Sequence, residues 1–186
     1  MKESSVTNFG LLIAFLLPGF VALWGVSYVS EAVRQWFGAP PDSAPSVGGF
    51  LYVTLASVMA GLTVSTVRWI AIDSIHHLTG IARPAWDFSR LQENVAAFDM
   101  LNEFYYRYYQ FYSNMVVAIV FAEFMRHWSP ATGFWSLDAI DGGGAALVIV
   151  FLAGSRDSIA KYYNRTGQLL AHRPMTVPPA SKEAAR

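Results

Sequence analysis

The sequence predicts an all-α, integral membrane four-helix bundle whose helices 2–4 extend into a small cytoplasmic helical collar. Three observations lead there. The stretches Ser4–Ser30 and Ser43–Val67 contain no charged residue, and each exceeds the ~20 apolar residues that cross a ~30 Å hydrocarbon core at ~1.5 Å per residue. Composition agrees: 54% of the 186 residues are hydrophobic and 14% charged, against about 25% charged in soluble domains. Finally, Lys and Arg are segregated along the chain in the manner of a multi-pass protein.

The first span is expected at 9–29. The run Phe9–Val29 exceeds the ~7–15 residues of a signal-peptide core, and no small-residue cleavage site follows it, so a retained helix is expected. Pro18-Gly19 lies mid-span, where a missing N–H favours a kink. The helix is expected to run on through an amphipathic, interface-seeking tail, Glu31–Phe37, followed by a Pro- and Ser-rich loop from Gly38 to Gly48.

The second span, 49–69, stays uncharged from Gly49 to Arg68, ~28 Å of helix. That places Arg68 at the far interface, in reach of lipid headgroups. The helix should end at Thr79-Gly80, with 70–78 beyond the membrane. Asp87 or Ser89 would cap the next helix, Ser89 with Gln92 as a capping box. No Pro or Gly occurs from Ala85 to Ser129, which predicts one long helix whose 88–104 part stands outside lipid and whose third span is 106–126. The fourth span, 138–155, is short; a hairpin that dips in without crossing is its alternative. Its helix should continue through 156–170, leaving 171–186 as a disordered tail. Residues 1–170 thus form a single four-span domain.

With four spans, eleven of the 13 Lys and Arg residues fall on the side of the termini, including Lys2, Arg83, Arg90, Lys161 and Arg165. Only Arg34 and Arg126 fall opposite. This bias predicts cytoplasmic termini in a plasma (inner) membrane. The opposite face carries Glu31, Asp42, Glu123, Asp138 and Asp141, a formal −3 against those two arginines.

Several classes are disfavoured. Zero net charge gives no field for nucleic acid. Without cysteine there is no disulfide or thiolate metal site. No P-loop, G-x-S-x-G, H-E-x-x-H or dinucleotide fingerprint occurs. No cofactor is expected, and the chain is read as more like a non-enzyme.

The candidate functional residues fall into five groups. Ser57, Gly61 and Ser65, with Ala56, Ala60, and Gly10 and Ala14 of the first helix, have the small-residue spacing of tight helix packing, within or between protomers. The run Phe104–Tyr112 is read as an aromatic girdle at the inner leaflet, with Tyr105, Tyr108, Tyr109, Tyr112, Arg107 and Arg68 facing lipid headgroups; Arg107 has Glu103 as an alternative partner. Asp73, Arg156 and Asp157 are polar contacts of the collar, with Arg156–Asp73 or Asp157–Arg68 ion pairs expected. Asp73, His76 and His77 form a D-x-x-H-H cluster that would need Glu93, Asp99 or Glu103 to complete a metal site. Glu123, beside Asp138 and Asp141, is the intramembrane acid of an ion path, or else an i,i+3 partner of Arg126.

The function these residues suggest is a homo-oligomeric channel or pore-like assembly gated through its cytoplasmic helices. A non-conducting accessory or scaffold subunit of a larger membrane complex is the alternative, and an interfacial metal-dependent enzyme a third reading. The expected partners are the lipid bilayer, further copies of the chain and a cytoplasmic protein at the collar.

Overall fold

Helices are the only regular secondary structure among the described residues of the computed structural model, which are 3–37, 47–129 and 137–171. There are six α-helices: α1 (Glu3–Ser27), α2 (Glu31–Phe37), α3 (Val47–Leu78), α4 (Val95–Leu101), α5 (Arg107–Trp128) and α6 (Ala139–Ala171). The Gly38–Gly48 loop (except its last residues), the connection 130–136 and the tail from residue 172 lie outside the described residues.

Two helices, α3 and α6, are long and apolar enough to cross a membrane by length and composition. Only 17% of the most apolar part of α3 and 11% of that of α6 are buried within the chain. Phe50, Leu55, Met59, Trp69, Ile149 and Val150 are all exposed, apolar surface of the kind that meets a membrane or another protein chain. The exposed hydroxyls of α3 are matched to such surroundings. Thr54, Thr63, Thr66 and Ser74 donate to the carbonyls of Phe50, Met59, Leu62 and Ile70, at 2.8, 3.1, 3.1 and 2.6 Å. Each hydroxyl is therefore satisfied by its own helix, with no need of water.

The long helices alternate in direction. Asn114 meets Ala14 and Gly25 meets Ala122, so α1 and α5 run parallel. Gly19 lies against Ser57 and Gly61 against Phe15, making α3 antiparallel to α1. Glu123 lies at Gly144 and Tyr112 at Gly154, making α6 antiparallel to α5. Contacts are densest between α1 and α3 and between α1 and α5, with α6 on the other side of α5. A small core of Ala22, Val64 and Ala118 fills the junction of α1, α3 and α5.

The α1–α3 crossing is a backbone-to-backbone contact. A Cβ on Gly19 would collide with the Ser57 carbonyl, and one on Gly61 with the Phe15 carbonyl; glycine at both positions is what permits this approach. The Ser57/Gly61 packing stripe is thus used within one protomer. Pro18 does not interrupt α1, although it cannot donate to the Ala14 carbonyl one turn back. Asn114 of α5 does so instead, with Nδ2 donating to Ala14 O at 2.9 Å.

Helix ends differ from the sequence reading in three places. The first helix does not continue to Phe37: it stops at Ser27, and a turn leads to a separate α2. There Ser30 Oγ accepts from Val33 N at 3.5 Å, and Arg34 Nε donates to the Ser27 carbonyl at 3.3 Å, so side chains satisfy the groups a continuous helix would have paired. The expected long third helix is continuous only from Val95 to Trp128. A 3₁₀ segment, Phe88–Glu93, precedes α4, and a π-helical turn, Asn102–Tyr106, joins α4 to α5. Asp87 rather than Ser89 provides the cap, accepting from Ser89 N at 3.0 Å. The end of α3 is as expected: Gly80, at φ 98°, sits in a Schellman turn with Ile81 N→His76 O at 3.0 Å and Gly80 N→His77 O at 3.2 Å.

Candidate functional site

The polar side chains gather into two clusters at opposite ends of α5, separated by the apolar stretch Val116–Ala122. Residues 109 and 126 are ~25 Å apart by helical rise.

The first cluster joins α3, α5 and α6 around Tyr109, which is 2% exposed. Arg68 donates from Nη1 to Asp73 Oδ1 at 3.2 Å, and the Tyr109 hydroxyl donates to the same oxygen. The Arg68 guanidinium lies 5.2 Å from the centroid of the Tyr109 ring, a cation–π contact in a desolvated setting. Arg68 and Tyr109, expected at lipid headgroups, are instead buried inside the protein. The reason is facial: Ser57, Gly61, Val64, Arg68, Ile72 and His76 share one side of α3, and that side faces α1 and α5.

His76 extends the cluster to α6. Its Nε2 is 3.0 Å from Ser155 Oγ, while that hydroxyl donates its one proton to Leu152 O at 2.9 Å. Ser155 therefore accepts, and His76 carries its proton on Nε2. His76 lies beyond 49–69, outside the stretch read as spanning lipid. Burial, reinforced by Arg156, holds its imidazole below the ordinary range, which favours the neutral ring. Arg156 does not pair with Asp73, nor Asp157 with Arg68, as the sequence suggested. Arg156 donates to Thr79 Oγ1 and to the Thr79 carbonyl, at 2.5 and 2.8 Å, closing the end of α3 onto α6. Asp157 pairs with Lys161 at 2.6 Å on the surface of α6.

The Asp73-His76-His77 trio is not gathered as a ligand set. Asp73 is taken by Arg68 and Tyr109, His76 Nε2 by Ser155, and His77 is exposed, lining a shallow surface pocket with Trp69, Ser74 and Arg83. The rest of the aromatic run packs on α6 and the segment before the 3₁₀ turn. Tyr106 and Tyr162 have centroids 5.3 Å apart, and Trp86 meets Tyr162 and Tyr163 edge-on at 5.7 Å each. Tyr105 is part of this cluster, Tyr112 stacks on Phe151 at 5.9 Å, and Tyr108 is half-exposed. Arg107 reaches Glu103 at 4.0 Å.

The second cluster is built on Arg126, whose side chain is 7% exposed. Nε donates to Glu123 Oε2 at 2.9 Å and Nη1 to Asp138 Oδ2 at 3.0 Å, while Nη2 pairs with Asp141 Oδ1. His127 Nε2 lies 2.6 Å from the same Asp141 oxygen. Asp138 also accepts from the backbone N–H groups of Ile140 and Asp141 at 2.8 and 3.1 Å, capping α6. Glu123 thus has the Arg126 partner that its i,i+3 spacing suggested, and the same arginine also collects Asp138 and Asp141. The sequence showed these residues as neighbours only within each helix; that a single arginine would join both helices had no local signal.

Between the clusters, α1, α3 and α5 flank an apolar groove of about 810 Å³, lined by residues such as Leu23, Val67, Ile75, Val120 and Phe124. Gly25 abuts Ala122 directly, so packed small side chains separate the two polar ends. No protein-family model, no curated protein and no solved structure matches this chain.

Proposed function

We propose that the chain is a four-span protein of the plasma (inner) membrane with cytoplasmic termini, self-associating into a channel-like assembly whose conduction path runs between protomers. The observation that carries this reading is the contrast between surface and interior. Large apolar side chains cover the outside of α3 and α6, and the exposed hydroxyls of α3 are satisfied within their helix. The protomer interior is sealed by Ala22, Val64 and Ala118, so ions would have to pass between copies. Along α6, Gly142, Gly143, Ala145 and Ala146 are exposed, and a side chain at either glycine would meet nothing. Small residues of this kind let helices of neighbouring subunits approach closely. Glu123, Asp138 and Asp141, at the extracytoplasmic mouth, would favour cations. The Trp86–Tyr162 aromatic collar, linked to α3 through His76 and Arg156, would pass a cytoplasmic signal to the spans.

The sealed interior equally supports a second reading, a non-conducting scaffold subunit of a larger complex. Purified protein in lipid nanodiscs, sized and then recorded as single channels in planar bilayers, separates the two. The channel reading expects masses at multiples of the 20.6 kDa chain and cation-selective openings. Monomers, or oligomers silent under every stimulus, overturn it.

A further inference from the structure

We infer that Glu123, His127 and Asp141 form a binding site for a divalent transition-metal ion that ties the end of α5 to the start of α6. Glu123 and His127 are one turn apart on α5, and Asp141 is in the first turn of α6. One donor atom from each lies within 4.8 Å of the others. Two carboxylate oxygens and one imidazole nitrogen make a donor set suited to Zn²⁺ or Mn²⁺. Tetrahedral bonds of ~2.0–2.2 Å would hold such donors ~3.4 Å apart, a contraction that side-chain rotation supplies.

Two further observations point to a cation. Three carboxylates, those of Glu123, Asp138 and Asp141, converge on the one guanidinium of Arg126, leaving a formal charge of −2 with His127 neutral. A divalent ion brings that to zero at a place where side chains are only 15–26% exposed for the three ligands. The second is Gly144. A Cβ there would stand 2.6 Å from Glu123 Oε1, whereas Gly142 and Gly143 have nothing near them. Gly144 therefore leaves the space into which the Glu123 carboxylate turns. Arg126 holds that carboxylate through Oε2, which leaves Oε1 as the ligand oxygen. Asp138 is engaged in capping α6 and acts as an outer charge. Binding requires a neutral His127 with Nε2 unprotonated and its ring proton on Nδ1, so the Nε2 contact with Asp141 Oδ1 gives way to bonds from both groups to the metal, with no net loss of a proton from the ring.

The site shares Glu123 and Asp141 with the proposed cation mouth, but its test reads binding alone and stands whether or not the chain conducts. Full-length protein in nanodiscs, stripped with EDTA, is titrated with ZnCl2. One Zn²⁺ per chain is expected, with affinity weakened at least tenfold in His127→Ala and in Asp141→Asn and unchanged in His77→Ala at the opposite end. Should either cluster substitution prevent folding, Co²⁺ added to the wild-type chain answers without one. Intense visible bands of four- or five-coordinate Co²⁺ support the site. Substoichiometric Zn²⁺, binding that both cluster variants retain, or a spectrum identical to aqueous Co²⁺ overturns it.

Discussion

Pro18 deprives α1 of one backbone donor, and Asn114 of α5 supplies it. In a hydrocarbon setting the Ala14 carbonyl would otherwise be left unsatisfied, since no water is at hand. Interhelical hydrogen bonds in membranes average ~0.6 kcal/mol and reach ~1.7, so Asn114→Ala should cost about 1 kcal/mol. In a Pro18→Ala background the backbone N–H restored at that position takes over the carbonyl, and the same substitution should cost less, by about the worth of that hydrogen bond. Thermal unfolding of the four proteins in detergent measures this coupling; an equal cost in both backgrounds contradicts it. The proline was legible in the sequence as an irregularity, but its partner, a hundred residues away, was not. Arg68 repeats the lesson. Its depth along α3 could be counted from Gly49, whereas the face it occupies depended on where α1 and α5 lie, and that face turns it inward onto Tyr109.

Among the elements, the α1–α3 crossing is the contact most sensitive to size. Gly61→Val would place a branched side chain against the Phe15 carbonyl, and the helices could only part. Overpacking of this kind costs ~1–3 kcal/mol, here on a helix pair that also positions Arg68 and Val64. The variant should unfold at lower temperature and lose the protection of α1 from proteolysis, while Gly142→Val, in open space, should do neither within the protomer. Equal behaviour of the two variants would contradict the assignment. The small-residue spacing of Ser57 and Gly61 was readable from sequence because packing of this type has a period. Whether it served one protomer or two was not, since the spacing is the same in both cases. The break at Tyr28–Ser30 and the widening of the helix into a π turn at Asn102–Tyr106 had no Pro or Gly to announce them. They follow from contacts made elsewhere: Arg34 reaching back to Ser27, and the aromatic run packing on α6.

At the scale of the whole molecule, the all-α character and the long apolar α3 were the readable part, because hydropathy is a local quantity; α6, read as a short span, is the second helix long and apolar enough to cross a membrane. The role of α5 was less so. Its uncharged stretch, Tyr108–Ala122, looks marginal as a span when judged alone. Its neighbours explain this: α5 sits against α1, α3 and α6, and Ser113 and Asn114 are wholly buried, so much of its surface faces other helices and need not be apolar. The sequence also placed Glu123, Asp138 and Asp141 at one end of the molecule, but gave no sign that Arg126 and His127 would draw them together. In the proposed topology, alternate spans put the Arg126 cluster outside and the Trp86–Tyr162 collar inside. The chain has no cysteine, so single cysteines can report sidedness without background. Gln92→Cys and Leu137→Cys, both at exposed positions, should be treated in intact cells with a membrane-impermeant maleimide. Labelling of Leu137→Cys in intact cells, with Gln92→Cys labelled only after permeabilisation, is the predicted result; both labelled from the same side, or the reverse pattern, would contradict the four-span topology.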